Sequence, residues 1–158
     1  MKHVGTFRGI DIESGDVVFC DIDDTLFDYG APIDNYWKEK IEDPGYKIWY
    51  SIIENTIPTI TDKYFYDFLN LIRENNAEIY FITARNVNFK KLTVEHLKYH
   101  SLEHIECHCL SGTCKSKYIS ENFDLKKYNR KIFIDDSEKN IADINDNLND
   151  FVTYLYKK

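Results

Sequence analysis

The segment Asp21-Ile-Asp23-Asp-Thr25 places two carboxylates two residues apart, directly after the apolar run Val17-Val-Phe-Cys20. Where a chain leaves an extended strand, residues i and i+2 point to the same side, so Asp21 and Asp23 can address one substrate atom. Carboxylates this close repel each other unless a proton or a cation intervenes. Asp135 and Asp136 add further negative charge at the end of a second apolar run, Lys131-Ile-Phe-Ile134. Mg2+, a hard cation that accepts carboxylate, carbonyl, phosphate and water oxygens, suits such a donor set.

With the metal bound, one carboxylate can attack phosphorus. The second can protonate the leaving group and later take a proton from water. The transferred group is rich in negative oxygens, and hydroxyl or ammonium donors would stabilise it. Thr83, closing a third run Ala77-Glu-Ile-Tyr-Phe-Ile-Thr83, and a lysine of the 115–117 region are the candidates. Plainer readings exist for each residue. Asp-Asp-Thr and Asp-Asp-Ser also form turns and helix caps, Thr83 suits any strand, and a lone lysine is usually solvated. Arg85 either grips a substrate phosphate or binds a local carboxylate.

Positioning these groups together requires elements that end together. The three runs are continuously apolar, as in strands buried on both faces of a parallel sheet. Ile105–Leu110 and Phe151–Tyr156 read as two more strands. Between them, Tyr64, Phe65, Phe68, Leu69 and Ile72 fall on one helical face, with Thr61 as its N-cap and Asn75-Asn76 as its stop. Phe89, Leu92, His96 and Leu97 mark a second helix, and Ser137 caps a third through Ile141 and Ile144. Strands alternating with helices predict an α/β Rossmann-like three-layer sandwich with a mainly parallel central sheet, as one domain over 1–158. In such sheets ligands bind beyond the carboxyl ends of the strands. Asp21, Asp23, Thr83, Asp135 and Asp136 all belong there.

In this arrangement Asp21-x-Asp23-x-Thr25 resembles the first motif of the haloacid dehalogenase (HAD) superfamily. Phe81-Ile-Thr83-Ala-Arg85 resembles the second motif, Thr113-Cys-Lys115-Ser-Lys117-Tyr-Ile119 the lysine-bearing third, and Ile132-Phe-Ile-Asp135-Asp136-Ser137 the acidic fourth. They stand in the family's order across positions 17 to 137. The resemblance implies an Mg2+-dependent phosphatase that acts on a phosphate monoester through an aspartyl phosphate. Asp21 would be its nucleophile and Asp23 its general acid and base. It further implies that Thr83 and Lys115 hold phosphoryl oxygens. The metal would sit on the Asp21 carboxylate, the Asp23 carbonyl and Asp136, with Asp135 turned toward the lysine. A Ser follows Lys115 where Gly is frequent in the family, so Lys117 stays a second candidate.

Two rival readings are weaker. A response-regulator receiver domain puts its acidic pair before a lone phosphoacceptor, whereas Asp135-Asp136 here follow the lysine. A catalytically weak HAD-like domain kept for binding a phospho-ligand or partner lacks support, because every expected residue type is present. Between Arg85 and Lys115 there is room for only one helix and one short strand, so no large cap fits there. The stretch from about 30 to 60 predicts a small helical lid bracketed by Pro32 and Pro58. The site is then comparatively open, with Trp37 and Trp49 near its mouth or anchoring the lid.

The formal net charge of −7 disfavours long nucleic acids as partners, which require a basic face. No signal peptide or membrane-spanning run is present, so a cytoplasmic protein without membrane contact is expected. His104, Cys107, His108, Cys109 and Cys114 lack the paired spacing of a zinc clamp, and a strand there would turn His108 away from Cys107 and Cys109.

Overall fold

A computed structural model describes all 158 residues, Met1 to Lys158. In chain order the strands and helices are β1 (Lys2–Val4), β2 (Val17–Cys20), β3 (Phe27–Asp28), α1 (Ala31–Glu39), α2 (Lys47–Glu54), β4 (Thr59–Ile60) and α3 (Phe65–Glu74). They continue with β5 (Glu78–Thr83), α4 (Lys90–Tyr99), β6 (Cys107–Cys109), α5 (Lys115–Asn122), β7 (Lys131–Asp135), α6 (Glu138–Asn147) and β8 (Phe151–Tyr156). Six strands form one sheet in the order β1-β8-β7-β2-β5-β6, and every neighbouring pair is parallel.

Period-2 alternation along β2 sorts its residues to two faces. Val18 and Cys20 join a core with Phe65, Phe68 and Ile72 of α3 and Leu97 of α4. Val17 and Phe19 join a second core with Ile119 of α5 and Ile141 and Ile144 of α6. Burial on both faces explains why these strands read as unbroken apolar runs. The result is a three-layer α/β sandwich of the expected class. Cys20 lies opposite both Ile134 and Phe81, so β2, β7 and β5 reach the same edge almost in step.

Several local expectations need correction. The strand expected over Ile105–Leu110 is only Cys107–Cys109, because Ile105 closes a turn onto Leu102. α3 is not capped by Thr61. Asp62 instead accepts the Tyr64 N–H, and also takes the Phe7 N–H and the Thr6 hydroxyl. Thr61 is occupied elsewhere, donating its hydroxyl to the Thr25 carbonyl at 2.6 Å. Ser137 does cap α6, accepting from the Asn140 N–H. Asn76 ends α3 with φ +50°, a left-handed conformation that Asn tolerates. Strand β1 and the short antiparallel pair β3–β4 carried no sequence signal strong enough to find.

The pair β3–β4 forms the base of an insert that holds α1 and α2. His108 packs its ring against Tyr80, Tyr118 and Phe123, away from the core that Cys107 joins. The four cysteines are unpaired thiols. No helix is long and apolar enough to cross a membrane.

Candidate active site

β2 delivers Asp21 to the sheet's carboxyl edge, where its N–H donates to the Ile134 carbonyl at 2.9 Å. The chain then turns sharply. The Ile22 carbonyl collects the N–H groups of Thr25, Leu26 and Phe27, and Asp24 takes φ +62°. That left-handed value suits a short polar side chain better than an apolar one. Thr61 braces the turn twice, through its hydroxyl on Thr25 and its N–H on the Leu26 carbonyl.

At the centre, the Lys115 ammonium donates to Asp21 Oδ1 and to Asp135 Oδ2, both at 2.7 Å. Lys115 is the first residue of α5, and Cys114 before it provides no side-chain cap. The exposed helix start is satisfied from α6 instead: Asp143 accepts the Ser116 N–H at 2.9 Å and its hydroxyl at 2.7 Å. This contact fixes the turn from which Lys115 reaches inward, whereas Lys117 stays exposed. Asp135 is held by the Ser137 N–H and the Asn140 amide. The Thr25 hydroxyl lies 3.2 Å from both Asp21 Oδ2 and Asp136 Oδ1.

Oxygens of Asp21, Asp135 and Asp136 come within 4.8 Å of one another. Burial pushes the Asp21 carboxyl well above its ordinary range, and Asp135 adds to the rise against the pull of Lys115. Burial likewise raises Asp136. Burial alone would lower the Lys115 ammonium, but Asp135 and Asp21 outweigh it and hold the lysine charged. One buried cation among three carboxylates leaves excess negative charge, and the donors are all hard oxygens. This set fits a divalent cation of the Mg2+ type. The cysteines and histidines form no comparable cluster.

Asp23 turns the other way. Its two oxygens accept from Arg85, Oδ2 from Nε at 3.1 Å and Oδ1 from Nη2 at 2.6 Å. Arg85 is 3 % exposed and also donates to the Thr93 hydroxyl and the Tyr29 hydroxyl. Burial works against its charge, but Asp23 more than compensates and raises it. Beside Asp23 lies a cleft of about 30 Å³ walled by Tyr29, Ile33, Trp37, Trp49 and Ile53. Trp37 is half exposed on its rim, while Trp49 is buried with its ring 5.6 Å from the Arg85 guanidinium.

The family model of HAD superfamily, subfamily IIIB (acid phosphatase) matches residues 5–155. The chain belongs to this family. Membership in the HAD acid phosphatases makes it a phosphohydrolase. Its fold is shared with a hydrolase from Streptococcus pneumoniae TIGR4, 14% identical with a TM-score of 0.59, the match covering 93% of this chain and 95% of that one. The class C acid phosphatase from Bacillus anthracis is 18% identical with a TM-score of 0.50 over 94% of this chain and 70% of that one. No curated protein matches the sequence significantly.

Within this HAD phosphatase, Asp21, Thr83, Lys115, Asp135 and Asp136 meet at one sheet edge. Thr83 is buried, its hydroxyl accepting the Arg85 N–H at 3.3 Å. Two of the residues read from the sequence are placed more closely by these contacts, Arg85 on the local carboxylate that was one of its two open partners and Asp23 away from the acidic cluster. Arg85 is spent on the Asp23 carboxylate and its neighbours rather than presented to a substrate phosphate. The Asp23 carboxylate stands outside the Asp21–Asp135–Asp136 cluster, so only its backbone carbonyl is left to serve a metal there. Sequence reasoning missed Thr25 as a contact of two carboxylates, and Asp143 as the anchor of α5. For Thr25 the signal was present, since it closes the Asp-x-Asp-x-Thr motif. For Asp143, on the far helix, there was none.

Proposed function

We propose that this HAD phosphatase hydrolyses a phosphate monoester with Mg2+, by way of a phosphate carried on Asp21. The observation that carries the reading is the convergence of the Asp21, Asp135 and Asp136 oxygens within 4.8 Å, with the Lys115 ammonium seated between Asp21 and Asp135. An Asp21 carboxylate oxygen attacks phosphorus as the ester P–O bond breaks, and Asp23, which enters this step protonated on an oxygen lone pair that Arg85 leaves free, gives that proton to the leaving oxygen. Asp23, now a carboxylate, takes a proton from water as that water attacks the same phosphorus. The Asp21–phosphorus bond then breaks and inorganic phosphate is released.

Thr83 and Lys115 donate to the phosphoryl oxygens throughout. Asp21, the Asp23 carbonyl and Asp136 would hold Mg2+, which neutralises charge on the phosphoryl oxygens when bound. Asp135 keeps Lys115 aimed. Each Asp23 oxygen retains a second lone pair beyond its Arg85 contact, enough to address the leaving group from a fixed position. α1 and α2 act as a small lid, and the leaving group lies toward the cleft beside Tyr29 and Trp37.

The test is hydrolysis of 4-nitrophenyl phosphate by wild type and Asp21→Asn, with Mg2+ and with excess chelator. Turnover that needs the metal and vanishes in the folded variant is expected. Equal turnover by variant and wild type would remove Asp21 as the nucleophile.

A further inference from the structure

Asp23 is connected to a residue that no motif contains. The Arg85 Nη2 that binds Asp23 Oδ1 also lies 2.8 Å from the Tyr29 hydroxyl, and that hydroxyl lies 2.8 Å from His96 Nδ1. Tyr29 and His96 are buried at 4 % and 7 % exposure. The remaining contact of the guanidinium, Nη1, donates to the Thr93 hydroxyl at 3.0 Å, whose own proton goes to the Phe89 carbonyl. Thr93 and His96 stand three residues apart on α4, on one helical face. One face of one helix therefore supports the guanidinium twice, directly through Thr93 and through Tyr29 from His96.

The proton directions follow from chemistry. A guanidinium only donates, so the Tyr29 oxygen accepts from Arg85. Tyr29 then has a single proton left, and His96 Nδ1 is the partner within reach. His96 must accept, as a neutral imidazole carrying its proton on Nε2. Burial and the nearby Arg85 charge both hold the ring below its ordinary value, in keeping with that neutral form.

We infer that His96 is a positioning residue for the phosphatase reaction: through Tyr29 and Arg85 it fixes the orientation of the Asp23 carboxyl toward the leaving group. The inference rests on the reading of Asp23 as general acid. A strained or drifting acid matters little when the leaving group departs readily as an anion, and much when it requires a proton. His96 should therefore govern the dependence of rate on the leaving group rather than the rate alone.

The experiment compares kcat/KM for 4-nitrophenyl phosphate and benzyl phosphate, at saturating Mg2+, in wild type, Asp23→Asn, His96→Leu, His96→Asn and Tyr29→Phe. Loss of the acceptor in His96→Leu is expected to cost about tenfold more on benzyl phosphate than on the nitrophenyl ester. His96→Asn, whose amide oxygen sits where Nδ1 was, should recover most of that selective loss. Tyr29→Phe, which removes one oxygen from the relay, should repeat the His96→Leu pattern and carries the test if His96→Leu does not fold. Equal losses on both esters in Tyr29→Phe and His96→Leu would overturn the relay. If Asp23→Asn is also even-handed, the reading of Asp23 as general acid falls first, and the relay with it. If Asp23→Asn is selective and the relay variants are not, the relay alone is wrong. In the folded wild type, a 15N spectrum of the histidine rings should show His96 Nδ1 unprotonated at neutral pH. A protonated Nδ1 would equally overturn the inference.

Discussion

Lys115 and Asp21 come from α5 and the end of β2, 94 residues apart, yet the ammonium meets Asp21 Oδ1 at 2.7 Å with both side chains buried. The same ammonium holds Asp135, whose side chain is fully buried. Removing one partner of a buried ion pair leaves an uncompensated charge, at about 3–5 kcal/mol. Lys115→Met should therefore lower stability by about 3 kcal/mol in metal-free urea unfolding. Saturating Mg2+ should restore part of that loss. Activity should fall by about 100-fold or more even where the variant is folded, because a donor to the transferred group is gone. Unchanged stability without metal would show that the carboxylates do not depend on Lys115 for compensation.

The pH dependence of stability has a sign fixed by Asp21 and Asp136. Both are raised in the metal-free fold, by burial first, with the Asp135 charge adding to the rise at each and a hydrogen bond with Asp21 opposing it at Asp136. A carboxyl with a raised folded value is bound to its proton more tightly in the folded state. Its contribution is complete below the ordinary carboxyl value and is lost as pH rises through the folded one. The metal-free protein should thus lose melting temperature from this site as pH climbs above the ordinary carboxyl range. Mg2+ competes with those protons, so its stabilising shift should grow over the same interval, reaching about 2.7 kcal/mol at a hundred times its Kd. Asp136→Asn should flatten both trends in a melting series with and without the ion. A metal effect independent of pH would place the ion elsewhere.

Arg85 separates positioning from binding in its kinetics. Its Nε and Nη2 both serve Asp23, a two-point contact that the point charge of a lysine does not reproduce. Arg85→Lys should depress kcat on a poor leaving group by about tenfold or more, with KM nearly unchanged. A guanidinium that gripped the substrate phosphate would instead raise KM when shortened, and steady-state kinetics on benzyl phosphate distinguish the two.

What the sequence disclosed and what it concealed divide along physical lines. Strand ends at Asp21, Thr83 and Asp135 were readable because strands buried on both faces show as apolar runs, and each run stops where the chemistry starts. Lys115 could not be separated from Lys117 by type, but the first turn of α5 buries one and exposes the other. The Arg85–Asp23 pair spans 62 residues and depends on how β5 and the turn after β2 face each other, which no local pattern records. Thr61 misled for a related reason. As a hydroxyl before a helix it looked like a cap, yet α3 starts only at Phe65, and Thr61 gives its proton to the Thr25 carbonyl, 36 residues away, while its oxygen accepts from the Tyr156 hydroxyl. His96 read as one apolar-face position among several, and only the neighbouring Tyr29 hydroxyl gives its ring nitrogen a task.

Asp143 offers the final prediction, since it joins stability to chemistry without touching the carboxylate cluster. Its two oxygens satisfy the Ser116 N–H and hydroxyl at the start of α5, standing in for the cap that Cys114 does not supply. Loss of an N-cap acceptor costs about 1 kcal/mol, and Asp143→Ala should lower urea-unfolding stability by about that amount. The larger consequence is geometric: Ser116 follows Lys115 directly, so a frayed first turn loosens the ammonium between Asp21 and Asp135. Activity on 4-nitrophenyl phosphate should drop several-fold more than the stability change explains, and Asp143→Asn, which keeps one acceptor oxygen, should lie between. If Asp143→Ala lost stability while keeping full activity, Lys115 would be held by its two carboxylates alone, and α5 would be only the strut that brings it near.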